Sequence, residues 1–248
     1  MKKGVKNAFL VAIVLVVLIV GFLGAMTVRF VMETRKMSPL PTGIVAEGVY
    51  AVKDDYVNLF VIKKGDSIVV VDGAIDAGVV SAELAKLKID PAQVRAVFLT
   101  HTDNDHVAAV GLFPRAKVYI GTEEEQLLDG RLHRMLIFNN SLTRSYEKLA
   151  DGQVIVLGDI RVKAISTPGH TPGSFCFLVN DSLLFTGDTL ALRDGAAMTF
   201  NELFNMDTAT EETTIRSRIA PLRGVKYVFT AHYGFSDNFA KVFAAWQK

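Results

Sequence analysis

Two histidines and two aspartates fall within seven residues, THTDNDH at 100–106, directly after the apolar run VRAVFL. No regular element turns His101, Asp103, Asp105 and His106 to one side, because side chains repeat about every 2 residues along a strand and about every 3.6 along a helix. The four come together only if the chain leaves a strand and turns at once. That requirement fixes the local geometry before anything else about the chain is considered.

The same arrangement recurs further along. His170 lies in STPGHTPGS, Asp188 in LLFTGDTL and His232 in FTAHYG, each beside Gly, Pro, Thr or Asp where an apolar run ends. Taken alone, any one of these residues reads as structural or surface. Recurring where strands run out, they read as side chains from different strands converging on one rim of a sheet. Neutral imidazole and carboxylate are the usual ligands of zinc and of first-row metals such as iron and manganese. Four histidines and three aspartates suit two metals that share a bridging carboxylate and hydroxide. A bound metal lowers the pKa of water from about 15.7 to about 7, which gives a nucleophile at neutral pH.

Residues 8–28, AFLVAIVLVVLIVGFLGAMTV, carry no charge, and a helix of about 20 such residues spans a bilayer. The run is longer than the roughly 7–15 residues of a signal-peptide core and no A-x-A-like cleavage site follows it. An uncleaved single-pass anchor is therefore expected over 1–28, cytoplasmic tip included. Basic residues flank both ends, Lys2, Lys3 and Lys6 before and Arg29, Arg35 and Lys36 after. The positive-inside rule thus nearly cancels, and the free amino terminus places the catalytic body on the extracytoplasmic side. A tether with Pro39 and Pro41 is expected over 29–42, and one domain over 43–248. Beyond residue 36 the chain has 21 basic and 25 acidic residues, a mildly acidic body that argues against nucleic-acid binding. The one cysteine, Cys176, excludes an internal disulfide.

The body reads as strands followed by alternating helices and strands. GIVAEGVYAVK and YVNLFVIKKGDSIVVVDG are strand-like, with a turn at Gly65-Asp66. Val79, Val80, Leu84 and Leu87 have helical spacing. A polar, helical stretch is expected over 122–150, and helices over 208–220 and 236–247. Strand meanders mixed with strand–helix units suggest two packed sheets with helices outside.

The order THTDNDH, TPGHTPGS, FTGD and TAHYG, with VVVDG upstream, resembles the metallo-β-lactamase superfamily over residues 43–248. The resemblance implies a four-layer αββα sandwich of two mixed sheets with outer helices and a dinuclear site at the sheet edges. It implies that His101, position 103 and His170 hold one divalent ion, that Asp105, His106 and His232 hold the other, and that Asp188 bridges. Asp72 matches an upstream aspartate that supports such sites from behind the ligands; it reads equally as a turn residue before Gly73. The departure is Asp103, because the usual pattern is H-x-H-x-D-H and this chain has H-T-D-N-D-H. Three aspartates and one hydroxide balance two divalent ions completely, whereas the usual site keeps one positive charge. Zinc is the first expectation, and the extra carboxylate admits iron or manganese. Flavodiiron members of the superfamily carry a Glu here, although this chain has no flavodoxin-like domain.

Gaps of 64, 18 and 44 residues separate His106, His170, Asp188 and His232. They leave no room for an inserted nucleic-acid-recognition domain, so a small lactone, ester or thioester is the expected substrate. Asp105 is the candidate to orient the attacking hydroxide or shuttle its proton, and Tyr233 could donate to a developing oxyanion. Arg131, Arg134, Arg144 and Arg193 could meet an anionic substrate, although loop arginines are usually solvated, and His133 reads as surface. Two other classes remain, a non-haem di-iron oxidoreductase and a catalytically silent anchored binding module.

Overall fold

A computed structural model describes residues 2–134 and 138–247, with side chains from residue 7 onward. Met1 of the tip expected to be cytoplasmic, residues 135–137 of the stretch expected to be helical, and Lys248 lie outside the described residues. Residues 1–37 and 38–248 form two separate units. The first contains helix α1 (Lys2–Thr34). Its segment Asn7–Thr34 reaches a mean hydropathy of 3.1 and is long and apolar enough to cross a membrane. The helix continues through residues 29–34, and Pro39 and Pro41 follow its end.

The second unit begins with chain held against the body. Ser38 N–H donates to the His232 carbonyl at 2.8 Å, and the Asn58 amide bonds both the N–H and the carbonyl of Leu40 at 2.7 and 2.9 Å. Strands β1 (Gly43–Ala46), β2 (Val49–Asp54), β3 (Val57–Lys64) and β4 (Ser67–Val71) then form an antiparallel meander. Helix α2 (Ala77–Lys86) is capped by Asp76 and leads back to β5 (Ala96–Phe98). Helix α3 (Asn104–Val107), β6 (Lys117–Gly121), α4 (Glu125–Leu128) and β7 (Glu147–Leu149) complete the first half. Strands β4 to β7 are parallel and close a seven-stranded sheet.

The second sheet contains β8 (Val154–Leu157), β9 (Ile160–Ser166), β10 (Phe175–Val179) and β11 (Leu183–Phe185). A small hairpin, β12 (Ala191–Arg193) with β13 (Ala196–Met198), stands apart. After α5 (Thr208–Thr214), strands β14 (Tyr227–Phe229) and β15 (Phe235–Ser236) join the second sheet, and α6 (Phe239–Val242) follows. The six strands run in the order β15-β14-β11-β10-β9-β8.

Alternation along the strands creates the layers. In β10, Phe175, Phe177 and Val179 face the first sheet, while Cys176 and Leu178 face helical residues Ile215, Ile219 and Phe243. In β4, Val69 and Val71 face the intersheet core, and Ile68 and Val70 meet Val80 and Leu84 of α2. Strands covered on both faces need apolar residues at every position, and both β4 and β10 are buried throughout. Phe60 against Phe185 and Phe98 against Phe177, each with ring centres 5.4 Å apart, tie the sheets together. This is the mixed two-sheet fold with outer helices that the sequence led us to expect.

Two helical expectations need correction. Among its described residues, the stretch 122–150 has as regular elements a 3₁₀ turn, Thr122–Glu124, the short α4, an isolated Arg134–Phe138 bridge and then β7 as an edge strand. Gly130, at φ +77°, ends that helix with a left-handed turn, and the chain beyond it contributes side chains to the rim. The helix expected over 208–220 is present, α-helical over Thr208–Thr214 and widened into a π-helical turn at Ile215–Ile219. Over 236–247 the helix is confined to α6.

Candidate metal centre

Strands β4 and β5 run parallel, as do β11 and β14, and β9 shares the direction of β11 because both are antiparallel to β10. The residues just past their ends therefore meet at one rim of the sandwich. Asp72 follows β4, His101 follows β5, His170 follows β9, Asp188 follows β11 and His232 follows β14. The rim is fastened across the sheets where Phe175 N–H donates to the Thr100 carbonyl at 2.8 Å.

The heptapeptide behaves as its composition requires. The chain leaves β5, turns, and enters α3 with Asp103 at the helix N-cap position. The Asp103 carboxylate makes no cap hydrogen bond and faces the rim instead. His101, His106, His170, Asp188 and His232 are buried, while Asp103 and Asp105 are 16% and 21% exposed at the side chain. Three overlapping groups have ligand atoms within 4.8 Å of one another: His101 with Asp103 and His170, His101 with His106 and Asp188, and Asp105 with His106 and His232.

Each imidazole directs Nε2 into this cluster, and three of the four hydrogen-bond Nδ1 elsewhere. His232 Nδ1 lies 2.7 Å from the Tyr56 carbonyl, His170 Nδ1 3.0 Å from Asn205 Oδ1, and His101 Nδ1 3.1 Å from Thr100 Oγ1. His106 Nδ1 lies 3.0 Å from Asp72 Oδ2. Such contacts fix ring orientation and leave the other nitrogen as an electron-pair donor. Inside the cluster, His232 Nε2 and His106 Nε2 lie 3.1 and 3.5 Å from Asp188 Oδ1, and His170 Nε2 lies 3.7 Å from Asp188 Oδ2. Asp105 Oδ2 lies 3.5 Å from His232 Nε2 and 3.8 Å from His106 Nε2. His101 Nε2 and Asp188 Oδ1 are buried without a hydrogen-bond partner. Buried polar atoms are seldom left so, and donors of this chemistry fit a divalent cation.

Electrostatics follow from the crowding. Burial pushes the Asp103 carboxyl up, but hydrogen bonds with His101 and His170 and the Arg134 charge hold it well below the usual carboxylate range. Burial likewise opposes ionisation of Asp188, and His232 and His106 overcome it. Burial disfavours a charged His106, yet Asp188, Asp72 and Asp105 raise it well above the ordinary imidazole value. Burial and the neighbouring His101 lower His170, with Arg134 adding to the effect.

The residues behind the cluster were only partly foreseen. Asp72, at φ +65°, accepts from Thr100 N and Oγ1 at 2.8 and 2.9 Å, so one carboxylate steadies both His106 and, through Thr100, His101. Glu124, fully buried, accepts from Thr102 N and Oγ1 at 2.7 and 2.6 Å and from the Thr171 hydroxyl, linking the loops of His101 and His170. Glu211 holds Asn205 at 2.8 Å, and Asn205 holds His170. Nothing in the local sequence distinguishes Glu124, Asn205 or Glu211 from surface polar residues. Of the four loop arginines, Arg134 is tied to the cluster, at 2.7 Å from Asp103 Oδ2. Arg144 binds main-chain carbonyls of Phe113, Pro114 and Ala116, and Arg131 pairs with Asp129. His133 is exposed beside Asn139. Tyr233 sets its ring edge-on to Phe200, with Arg193 5.9 Å from the ring centre, and Phe200 also meets the rings of His170 and His232.

Residues 52–232 match the family model described as metallo-beta-lactamase superfamily. The chain belongs to that superfamily. Its curated relatives include a probable polyketide biosynthesis zinc-dependent hydrolase of Bacillus subtilis, 32% identical over 127 residues that make up 50% of each chain. A hydroxyacylglutathione hydrolase of Francisella tularensis subsp. novicida is 34% identical over 112 residues, 43% of this chain and 37% of that one. The chain thus spans about half the length, or less, of these relatives. Among solved structures, a B3 metallo-β-lactamase described as having an active-site glutamic acid superposes with a TM-score of 0.67 at 19% identity, covering 88% of this chain and 90% of that one. A metallo-β-lactamase family protein of Thermus thermophilus gives 0.62 at 19% identity, over 82% and 79%. At that identity the structural likeness concerns the fold.

Proposed function

We propose that the chain is a membrane-anchored metal-dependent hydrolase of a small ester-like substrate, a lactone, ester or thioester. The observation that carries this reading is the convergence of four Nε2 atoms and three carboxylates, with the Nδ1 atoms of His101, His170 and His232 hydrogen-bonded to other groups and that of His106 facing Asp72. His101, Asp103 and His170 would hold one ion, Asp105, His106 and His232 a second, and Asp188 would lie between them. A divalent cation there would supply a water acidic enough to ionise near neutral pH, together with Lewis acidity toward the scissile carbonyl. Asp105 is the most exposed carboxylate of the cluster; it would take the proton of the attacking water and return it to the leaving alkoxide or thiolate as the carbonyl–heteroatom bond breaks. Tyr233 donates its hydroxyl proton as a hydrogen bond to the carbonyl oxygen as charge develops there. Buried His101, His106, His170 and His232 keep their rings fixed throughout. The similarity to a zinc-dependent hydrolase and to a hydroxyacylglutathione hydrolase supports zinc and a thioester as the first pair to test.

The test is metal content by mass spectrometry on the full chain in detergent, purified without added metal or chelator, beside Asp188→Ala. Two zinc or manganese ions per chain, lost in Asp188→Ala together with hydrolysis of a thioester and lactone panel, are expected. Asp103 gives the first group a carboxylate in place of the usual imidazole, which favours harder, oxygen-preferring metals over zinc. Two irons with a visible absorbance change on reduction would replace the hydrolase by a di-iron oxidoreductase. Less than one ion per chain and no activity would leave a silent binding module.

A further inference from the structure

Asp103 carries one negative charge more than the histidine it replaces, and the fold answers that charge directly. Arg134 Nη2 lies 2.7 Å from Asp103 Oδ2, and the Arg134 side chain is only 12% exposed. The guanidinium is held independently of the aspartate, because Nη2 also donates to the Phe204 carbonyl at 2.6 Å and Nη1 to the His170 carbonyl at 3.2 Å. Asn140 Nδ2 occupies the other carboxylate oxygen, Oδ1, at 2.9 Å. A carboxylate oxygen has two lone pairs. Oδ2 spends one on Arg134 and lies 3.2 Å from His170 Nε2 and 3.6 Å from His101 Nε2, so its remaining electron pair is available to the cluster.

We propose that Asp103 and Arg134 act as one unit, an ion pair that stands in for a neutral imidazole and presents an oxygen donor with no net charge. The inference rests on the metal-centre reading above. Arg134 is then a positioning and charge-balancing residue. Arginine suits the task because its planar guanidinium stays charged at any relevant pH and satisfies several fixed acceptors at once. With Nη1 and Nη2 already engaged and the side chain mostly buried, a role in gripping an anionic substrate is the weaker alternative. The two positions must therefore change together. A histidine alone at position 103 would leave an uncompensated guanidinium beside two cations.

A double-mutant cycle tests this. The full chain, Asp103→His, Arg134→Met and the double variant are prepared in detergent. Zinc affinity is read by competition with a chromophoric chelator, and unfolding of each chelated protein checks that it is folded. Asp103→His alone is expected to weaken zinc by about tenfold or more, in the range set by losing a partner of a metal ligand. The double variant is expected to recover to within about threefold of the native chain. Arg134→Met having the same effect on zinc in both backgrounds would overturn the proposal, as would a folded double variant no better than Asp103→His. Zinc bound by the double variant but by neither the native chain nor Asp103→His would defeat the zinc-hydrolase reading while supporting the coupling. Zinc absent from all four would end both.

Discussion

Histidines at this rim differ in what stands behind them, and that difference is chemical. His106 has a carboxylate at Nδ1, His232 a main-chain carbonyl, His101 a hydroxyl and His170 an amide. The His170 amide, Asn205, is held in turn by Glu211, whose carboxyl burial pushes up to about 8. Glu211 Oε2 accepts from Phe200 N–H and from Asn205, while Oε1 has no partner. The folded-state pKa lies above the ordinary value of 4.5. Its contribution is therefore full below about pH 4.5 and is lost as the pH rises toward 8, because the unfolded chain releases the proton first. Glu211→Gln keeps the neutral shape and removes that loss. Its melting temperature, measured on chelated protein, is expected to gain on the native chain steadily from pH 5 to pH 8, by about 2–4 °C for each kcal/mol. A constant difference across that range would show that Glu211 is not held neutral. Of the residues at this scale, the seven cluster members and Asp72 stand out in the sequence because their types and strand-end positions are unusual together. Asn205 and Glu211 do not, since an Asn in a loop and a Glu in a helix are ordinary.

Strand ends bring the donors together, and close approach between elements keeps them there. Gly187, in the turn after β11, sits at φ +50° against the Thr100 side chain after β5. An added Cβ would collide with the same hydroxyl that joins Asp72 to His101. Gly187→Ala is therefore expected to cost at least the roughly 1–2 kcal/mol of a left-handed non-glycine residue and also to weaken zinc, read by thermal unfolding and chelator competition. Loss of stability with zinc affinity untouched would mean that Thr100 shifts without disturbing either partner. Continuous apolar runs made β4 and β10 legible, because burial on two faces requires an apolar residue at nearly every position. The segment 122–150 was not legible as irregular chain. Its polar residues mimic a solvated helix, yet Glu124, Arg134 and Asn140 are polar because they serve the rim.

At the scale of the whole molecule, the apolar helix and the two-sheet body are distinct units, and we expect α1 to remain as a membrane anchor. Expressed as the full chain in a bacterial host, the protein should stay in the membrane pellet after carbonate washing. Its intact mass should include residues 8–28. A soluble product whose mass lacks that segment would identify a cleaved signal sequence instead. Periodicity and residue type are local properties, so the apolar span, the strand pattern and the chemical identity of the donors could be read along the chain before any fold was known. The groups that stand behind the donors could not. Arg134 meets Asp103 across 31 residues, Asn205 meets His170 across 35, and Glu124 meets Thr102 across 22. Such pairings arise only once loops distant along the chain have been brought side by side at the strand ends of each half of the sandwich, and no local pattern encodes them.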